Sequence, residues 1–178
     1  NRFDLGMLCF SPQIWCSDDT DPIERLDIQG GLSYLYPQSC MGAHVSASPH
    51  AQTLRRTPLY TRGNVSFFGV LGYELDLKDL LPVETREIKA QIAFYKAHRE
   101  LFQFGEFTRL PVPGDAAGWQ VAKDGVAAAG IFRRLVRAAP GCDRVRFAGL
   151  SPDRRYRVES RKQSLRVGQF GSLIKYVS

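Results

Sequence analysis

The stretch that decides the predicted fold is Gln13-Ile14-Trp15-Cys16-Ser17-Asp18-Asp19-Thr20-Asp21-Pro22-Ile23-Glu24-Arg25-Leu26. Its first four residues form the short apolar run that is typical of a buried strand. Pro22 suits the first position of a helix, Asp21 suits its N-cap, and Glu24 suits the third helical position of a capping box. The stretch therefore predicts a strand that leads through a polar loop into a capped helix.

The same order of strand and helix recurs downstream. We predict strands at residues 42–46 and 71–75, with a helical segment at 58–68 between them. The clearest helix follows at residues 82–104, and Gly105 suits its C-terminal cap. Alternation of this kind is typical of parallel strands joined by crossover helices, so the first part of the chain is predicted to be α/β.

The composition changes near residue 110. The segment 110–115 contains two prolines and cannot continue a helix, so we place a domain boundary there, between residues 1–110 and 111–178. Short strands are then predicted near residues 119–122, 127–135, 144–147, 155–159 and 172–177. Consecutive strands without helices indicate an antiparallel sandwich or a small antiparallel sheet.

The overall composition is that of a globular chain. Of the 178 residues, 44% are apolar and 24% are charged, which excludes the class of disordered proteins. No apolar run approaches the roughly 18 residues of a membrane span, and no secretory signal pattern is visible, so we expect no membrane partner. The first residue is Asn1 rather than Met, which favours a segment of a longer chain.

The positive charge is concentrated in the last third of the chain. Residues 1–110 contain 11 Lys and Arg against 13 Asp and Glu, a net charge of −2, and residues 111–178 contain 13 against 5, a net charge of +8. Many of these arginines alternate with apolar residues, as in the runs 144–147 and 155–158. Because this alternation is typical of a sheet with one face in water, we favour a solvated sheet face over a nucleic-acid surface.

The spacing of cysteine and histidine indicates neither a metal site nor a disulfide framework. The four cysteines at positions 9, 16, 40 and 142 fit no zinc pattern, and the three histidines at positions 44, 50 and 98 are widely spaced. The sequence predicts reduced thiols, a cytoplasmic protein, and no metal or other cofactor.

Chemistry is predicted first at the acidic loop of residues 17–21. Active sites of α/β proteins lie at the carboxyl ends of strands, and mutual repulsion with burial beside Trp15 would raise a carboxyl pKa, as a general acid requires. Asp21 is adequately explained as a helix cap, and Asp19 fits an exposed loop equally well. The spacing is not that of an EF-hand calcium loop.

Other residues have weaker claims to a role. Trp15 could stack on the apolar face of a sugar ring, or it could be a core residue. Glu74 and Asp76 follow or end a predicted strand and could lie at the same edge of the sheet as the acidic loop. The favoured interpretation is that they only lead into the next helix and have no chemical role. A hydrogen-bonded core histidine is the favoured interpretation of His44.

Several blocks of the sequence, taken together, closely resemble the α-galactosidases (melibiases) of glycoside hydrolase family 36. The blocks are Phe3–Leu8, Ser11–Asp21, Ile23–Leu26, Tyr36-Pro37, Met41–Ser46, Thr61–Gly63, Leu71–Leu77 and Phe94–Arg99. The resemblance implies the C-terminal part of a (β/α)8 barrel, of which about three of eight units are present, followed by an antiparallel β-sandwich-like domain.

The resemblance also implies a site and an activity. In that family the Trp-x-Ser-Asp motif carries the general acid/base aspartate, which here is Asp18, and Trp15 is expected in the galactose pocket. The implied activity is retaining hydrolysis of terminal α-galactosidic bonds in melibiose- and raffinose-type oligosaccharides, without a cofactor and by a homo-oligomer in the full-length form. The family often has Asn at the position of Asp19, so Asp19 is not expected to be essential.

The chain departs from the family pattern in two places. It contains no Lys-Trp-Asp motif, which carries the family's nucleophile, and Asn1 stands where the family's glycine-rich run is expected. These departures predict a C-terminal fragment that is inactive by itself. A transglycosylase of the raffinose-oligosaccharide type and a non-catalytic sugar-binding module remain as alternatives.

Overall fold

Helices alternate with strands in the first part of the chain and give way to strands alone in the second. The computed structural model describes residues 4–135, 138 and 144–160, together with the backbone of the strand at residues 172–177. Within these residues the helices and strands are β1 (Ile14–Trp15), α1 (Pro22–Leu32), β2 (Met41–Ser46), α2 (Leu59–Ser66), β3 (Val70–Glu74), α3 (Pro82–Phe104), β4 (Glu106–Leu110), β5 (Ala116–Lys123), β6 (Val126–Arg133), β7 (Val158–Ser160) and β8 (Ser172–Val177).

Strands β1, β2 and β3 form a parallel sheet in that order. The parallel arrangement predicted from the repeated strand and helix is therefore confirmed. The register pairs Trp15 with Gly42 and His44 with Gly72. As a result, the loops that follow the three strands lie at one edge of the sheet.

Helix α1 begins where predicted, but one contact of its cap differs. Asp21 accepts hydrogen bonds from the N–H groups of Ile23 at 2.8 Å and Glu24 at 3.3 Å, which confirms the N-cap. The predicted capping box is wrong, because the N–H of Asp21 donates to Asp19 Oδ1 at 3.0 Å instead. The carboxylate of Glu24 pairs with Arg55 instead. A hydrogen bond between two charged groups is stronger than one to an uncharged backbone N–H.

Helix α3 has the predicted bounds. The Glu84 carboxylate accepts a hydrogen bond from the N–H of Leu81 at 3.0 Å and so caps the first turn. Gly105 ends the helix by donating to Leu101 O at 2.9 Å. A Cβ at Gly105 would lie 2.5 Å from that carbonyl oxygen, which explains the glycine. None of the helices in the described part of the chain is long and apolar enough to cross a membrane.

The second part of the chain forms one antiparallel sheet in the order β4-β5-β6-β8-β7. Strands β5, β6 and β8 confirm three of the predicted strands, and β7 is shorter than predicted. The strand predicted at residues 144–147 is wrong, although its alternation of exposed arginines with half-buried apolar residues is present. The described strands β4 to β8 lie in a single sheet, and a second antiparallel layer that faces it is not found among the described residues.

Strand β4 is the element that the sequence did not indicate. It follows α3 directly and pairs with β5, from Glu106 opposite Ala122 to Leu110 opposite Gly118. The change from parallel to antiparallel structure therefore lies at Gly105, whereas the sequence predicts the domain boundary at residue 110. Cys142, one of the four cysteines considered above, lies outside the described residues.

An aromatic core joins the two sheets. The ring of Phe68, which precedes β3 and is 1% exposed, makes edge contacts with Phe102, Trp119 and Phe132 at centroid distances of 5.3, 5.5 and 6.0 Å. These partners belong to α3, β5 and β6. Because edge-to-face pairs of buried rings stabilise a fixed arrangement, the sheet that carries the candidate site has a rigid support.

Candidate active site

The two faces of the parallel sheet have different neighbours. One face packs against the helices through Cys16, Met41, Val45, Leu71 and Tyr73. Because successive side chains of a strand point to opposite faces, the other face carries Trp15, Gly42, His44, Gly72 and Glu74. We call this second set the open face, since Trp15 and His44 are only half-buried there and Glu74 is exposed.

Trp15, His44 and Glu74 form a row across the open face. The ring centroids of Trp15 and His44 are 4.0 Å apart with an interplanar angle of 65°, and His44 Nδ1 lies 3.8 Å from Glu74 Oε2. Trp15 therefore lies outside the helix-side core, with its ring against His44 and Arg25. An indole with polar neighbours can bind the apolar face and the hydroxyls of a sugar.

His44 contributes to this row as a neutral imidazole. Burial lowers the pKa of His44 from its ordinary value of 6.5; the negative charge of Glu74 opposes this shift, and the positive charge of Arg25 adds to it. At pH 7 the contact between His44 and Glu74 is therefore not an ion pair. A neutral imidazole donates one hydrogen bond and accepts another, which suits a hydroxyl group.

The absence of a side chain at Gly72 makes room for His44. A Cβ at Gly72 would lie 2.5 Å from both Cδ2 and Nε2 of the His44 ring. We expect Gly72→Ala to displace the ring from Trp15 and to lower the stability by about 1–3 kcal/mol, the usual cost of overpacking. The measurement is the thermal midpoint of the complete gene product. Gly31→Ala is the control, because a Cβ there meets nothing within 4 Å and alanine favours a helix; equal midpoints for the two variants would contradict the expectation.

The acidic loop separates its two neighbouring aspartates. Asp19 is turned inward: its Oδ1 accepts the hydrogen bond from the N–H of Asp21 and lies 3.8 Å from His50 Nε2. The side chain of Asp18 is exposed, and no hydrogen bond to its carboxylate is found among the described residues. The predicted burial of Asp18 beside Trp15 is therefore wrong in this chain, because the indole contacts His44 and Arg25 instead.

Asp21 is a buried structural carboxylate. It is 0% exposed, and besides capping α1 it accepts a hydrogen bond from Thr53 Oγ1 at 2.6 Å and pairs with Arg55 at 2.5 Å. Burial alone would raise the pKa of Asp21, but the hydrogen bonds from Thr53 and Ile23 and the charge of Arg55 together lower it. These contacts fix the loop after β1 to the loop after β2.

Two buried arginines bind backbone carbonyl oxygens of the parallel strands and of the loops that follow them. Arg25 donates to the carbonyl oxygens of Ser17, Asp19 and Gly42, and the pKa of Arg25 is lowered by burial. Arg62 binds the carbonyl oxygens of Ser46 and Thr57 in the same way. Sequence reasoning missed both roles; the available signal was a charged residue on a buried helix face, such as Arg25 next to Leu26.

The remaining candidates have structural roles or a place at the same edge. Asp76 accepts a hydrogen bond from the N–H of Lys78 at 2.9 Å and caps the short 3-10 helix Leu77–Asp79, which confirms the favoured interpretation for Asp76. Glu74 differs, because it ends β3 on the open face beside His44. Burial raises the pKa of Cys16 to about 12, so that thiol stays protonated. Within the residues that the structure describes, no cluster of His, Cys, Asp and Glu has the arrangement of a metal site.

The fold is that of an α/β protein: parallel strands have helices on one face, and carboxylates follow the carboxyl ends of the strands. Active sites of this class of protein lie at the carboxyl ends of the strands. The model of the melibiase family matches residues 1–105 of the chain. The chain belongs to this family, the α-galactosidases of glycoside hydrolase family 36.

Two curated relatives show the extent of the similarity. The chain is 46% identical over 162 residues to alpha-galactosidase AgaA of Geobacillus stearothermophilus, and 43% identical over 159 residues to alpha-galactosidase Mel36A of Lactobacillus acidophilus. These alignments cover 89% and 88% of the chain. The chain spans 22% of the length of each relative.

Solved structures of AgaA variants show the same arrangement of the backbone. One was determined in complex with raffinose, with a TM-score of 0.93 and 39% identity, and another in complex with stachyose, with a TM-score of 0.92 and 39% identity. Each comparison covers 99% of this chain and 27% of the solved chain.

Proposed function

We propose that this chain carries the general acid/base half of the active site of a retaining α-galactosidase. The position of Asp18 carries the proposal, because its carboxylate is exposed in a hydrogen-bonded loop at the carboxyl end of a parallel strand. Trp15 of the open face belongs to this strand, β1, and His44 belongs to the neighbouring strand β2. The raffinose and stachyose complexes of variants of one relative, AgaA, support terminal α-galactosides of melibiose- and raffinose-type oligosaccharides as substrates.

Two carboxyl groups share the proposed reaction. A nucleophilic carboxylate attacks the anomeric carbon and forms a covalent glycosyl-enzyme, while Asp18 protonates the departing glycosidic oxygen; Asp18 then takes a proton from the attacking water. The two groups in a retaining enzyme are about 5–5.5 Å apart. Because the sequence contains no Lys-Trp-Asp motif, we propose that the nucleophile comes from residues outside these 178. Trp15 stacks on the galactose ring, and the reaction uses no cofactor.

The proposed active site requires a larger sheet than the described one. Strands β1 and β3 are the edges of the parallel sheet within the described residues, and open edges need pairing or cover. We propose that residues 1–110, apart from strand β4 at their end, are the C-terminal part of a (β/α)8 barrel, and that residues 111–178 belong, with β4, to a sandwich-like β-domain. A homo-oligomer and a cytoplasmic location complete the proposal, and the free Cys9, Cys16 and Cys40 support a reducing compartment.

The decisive experiment uses the complete product of the gene that encodes this chain. Incubation with raffinose and with an aryl α-galactoside should release galactose, and NMR should show the α-anomer first, as retention demands. First release of the β-anomer, or no hydrolysis, would contradict the proposal. Transfer of galactose to excess sucrose, in preference to hydrolysis, would identify a transglycosylase.

The 178-residue chain alone should not hydrolyse either substrate, because the proposed nucleophile lies outside it and both edges of the parallel sheet are unpaired within the described residues. The measurement is galactose release by the purified chain, with the complete gene product as the positive control. Robust turnover by the isolated chain would contradict the division of the site. Galactose binding by the isolated chain, with no hydrolysis by the complete gene product, would indicate a sugar-binding module.

A further inference from the structure

Arg25 binds the backbone on both sides of Asp18. Its Nε donates to Asp19 O at 2.6 Å, and one terminal nitrogen donates to Ser17 O at 2.6 Å. The other terminal nitrogen donates to Gly42 O on strand β2 at 3.2 Å. The guanidinium group thus ties the Ser17–Asp18 and Asp19–Thr20 peptide groups, which lie on either side of the Asp18 side chain, to the neighbouring strand.

The charge of Arg25 has no carboxylate in direct contact. Arg25 is 2% exposed, and no carboxylate lies within 4.0 Å of its nitrogens in the described part of the chain. A buried cation without such a partner costs several kcal/mol, and its charge is offset from a longer distance by Asp19, Glu74 and Asp18. A contact that only packed the helix into the core could use an apolar side chain, as the adjacent Leu26 does.

We propose that Arg25 is the positioning residue of the general acid. Its planar group fixes the backbone from Ser17 to Asp19, so that the carboxyl group of Asp18 is presented to the glycosidic oxygen in one geometry. The inference rests on the proposed function, because it assigns to Arg25 an effect on the proton that Asp18 transfers. Arg25 itself does not touch the substrate.

Substitution of Arg25 by lysine or by methionine distinguishes the effect of its planar hydrogen-bond arrangement from the effect of its volume in the core. Arg25→Lys keeps the charge, but a single ammonium group cannot reproduce the planar arrangement of three bonds. Arg25→Met keeps much of the volume and removes every bond. We expect Arg25→Lys to lower kcat/KM for raffinose about 10- to 100-fold, since a displacement of about 1 Å has effects of that size. An aryl α-galactoside, whose leaving group needs little protonation, should lose less than about 3-fold.

Arg62 provides the matched control. It is also buried and also binds two backbone carbonyl oxygens, those of Ser46 and Thr57, but neither carbonyl belongs to the acidic loop. We expect Arg62→Lys to lower the thermal midpoint as much as Arg25→Lys does. Any loss of activity in Arg62→Lys should be equal for the two substrates.

A double-mutant cycle with Asp18→Asn completes the test. If Arg25 acts through Asp18, then adding Arg25→Lys to Asp18→Asn should cause no further loss on raffinose, because interacting residues are not additive. Equal losses on the two substrates, or additive losses in the double variant, would overturn the positioning role and leave the proposed function intact. Full activity of Asp18→Asn on raffinose would overturn both.

Discussion

The Asp18→Asn variant of the complete gene product should hydrolyse raffinose about 10²- to 10⁴-fold more slowly in kcat/KM, which is the usual contribution of a general acid–base group. Asparagine has nearly the same shape as aspartate but cannot transfer the proton. The side chain of Asp18 is exposed and has no hydrogen-bond partner among the described residues. The substitution should therefore leave the thermal midpoint unchanged, and the loss of rate is not a loss of folding.

The size of the loss should depend on the leaving group. A sugar alkoxide leaves slowly without a proton, whereas a nitrophenolate is stable as an anion, so an aryl α-galactoside should lose far less in kcat/KM. Azide should restore turnover of the aryl substrate and give α-galactosyl azide, because it attacks the glycosyl-enzyme without needing a base. Equal losses on raffinose and on the aryl substrate would contradict the assignment of the acid.

Asp19→Asn is the matched control at the adjacent position. The Oδ1 of Asp19 accepts the hydrogen bond from the N–H of Asp21, and the amide oxygen of asparagine can accept the same bond. We expect raffinose hydrolysis to change less than about 3-fold, since only the distant charge is removed. If Asp19→Asn lost as much kcat/KM for raffinose as Asp18→Asn does, the assignment of the general acid to Asp18 would be wrong.

The elements predicted correctly are those with local signals. The apolar run before Asp18, the cap at Asp21 and the proline at position 22 specify β1, its loop and α1 within a few residues of sequence. The end of α3 at Gly105 is specified equally locally. The order of the strands in the parallel sheet follows from connectivity, because a strand, a crossover helix and the next strand place neighbours side by side.

The features that sequence reasoning missed depend on distant partners. Arg25 binds the carbonyl oxygen of Gly42 on another strand, and Asp21 binds Thr53 and Arg55 in the next loop. Asp21 is therefore buried, while Asp18 in the same cluster is exposed, because the partners of Asp21 lie more than 15 residues away in the sequence. Strand β4 is specified by pairing with β5, and its own residues give no strong pattern.

Asp21→Ala should have the opposite consequence to Asp18→Asn, because Asp21 stabilises the fold and takes no part in the chemistry. The substitution removes the cap of α1, leaves Thr53 without its acceptor, and leaves Arg55 with Glu24 as its remaining carboxylate partner. We expect a loss of about 3–5 kcal/mol in the local stability of the loop and the helix, the usual cost of breaking a buried ion pair. Asp21→Asn keeps a capping oxygen and should lose about half as much.

The stabilisation by Asp21 should decrease at low pH. The contacts of Asp21 lower its pKa in the folded protein below the ordinary value of 3.8. The stabilisation is therefore complete above that ordinary value and is lost as the pH falls through the lower pKa of the folded state. Hydrogen exchange of peptides that cover residues 17–32 measures it directly. The free energy of local opening, obtained from exchange rates corrected for the pH dependence of intrinsic exchange, should be lower in Asp21→Ala than in the parent at pH 7, and this gap should shrink as the pH falls below 3.8. A difference that stayed constant over this range would show that the ionised carboxylate does not stabilise the loop, whereas Asp18→Asn should match the parent at every pH.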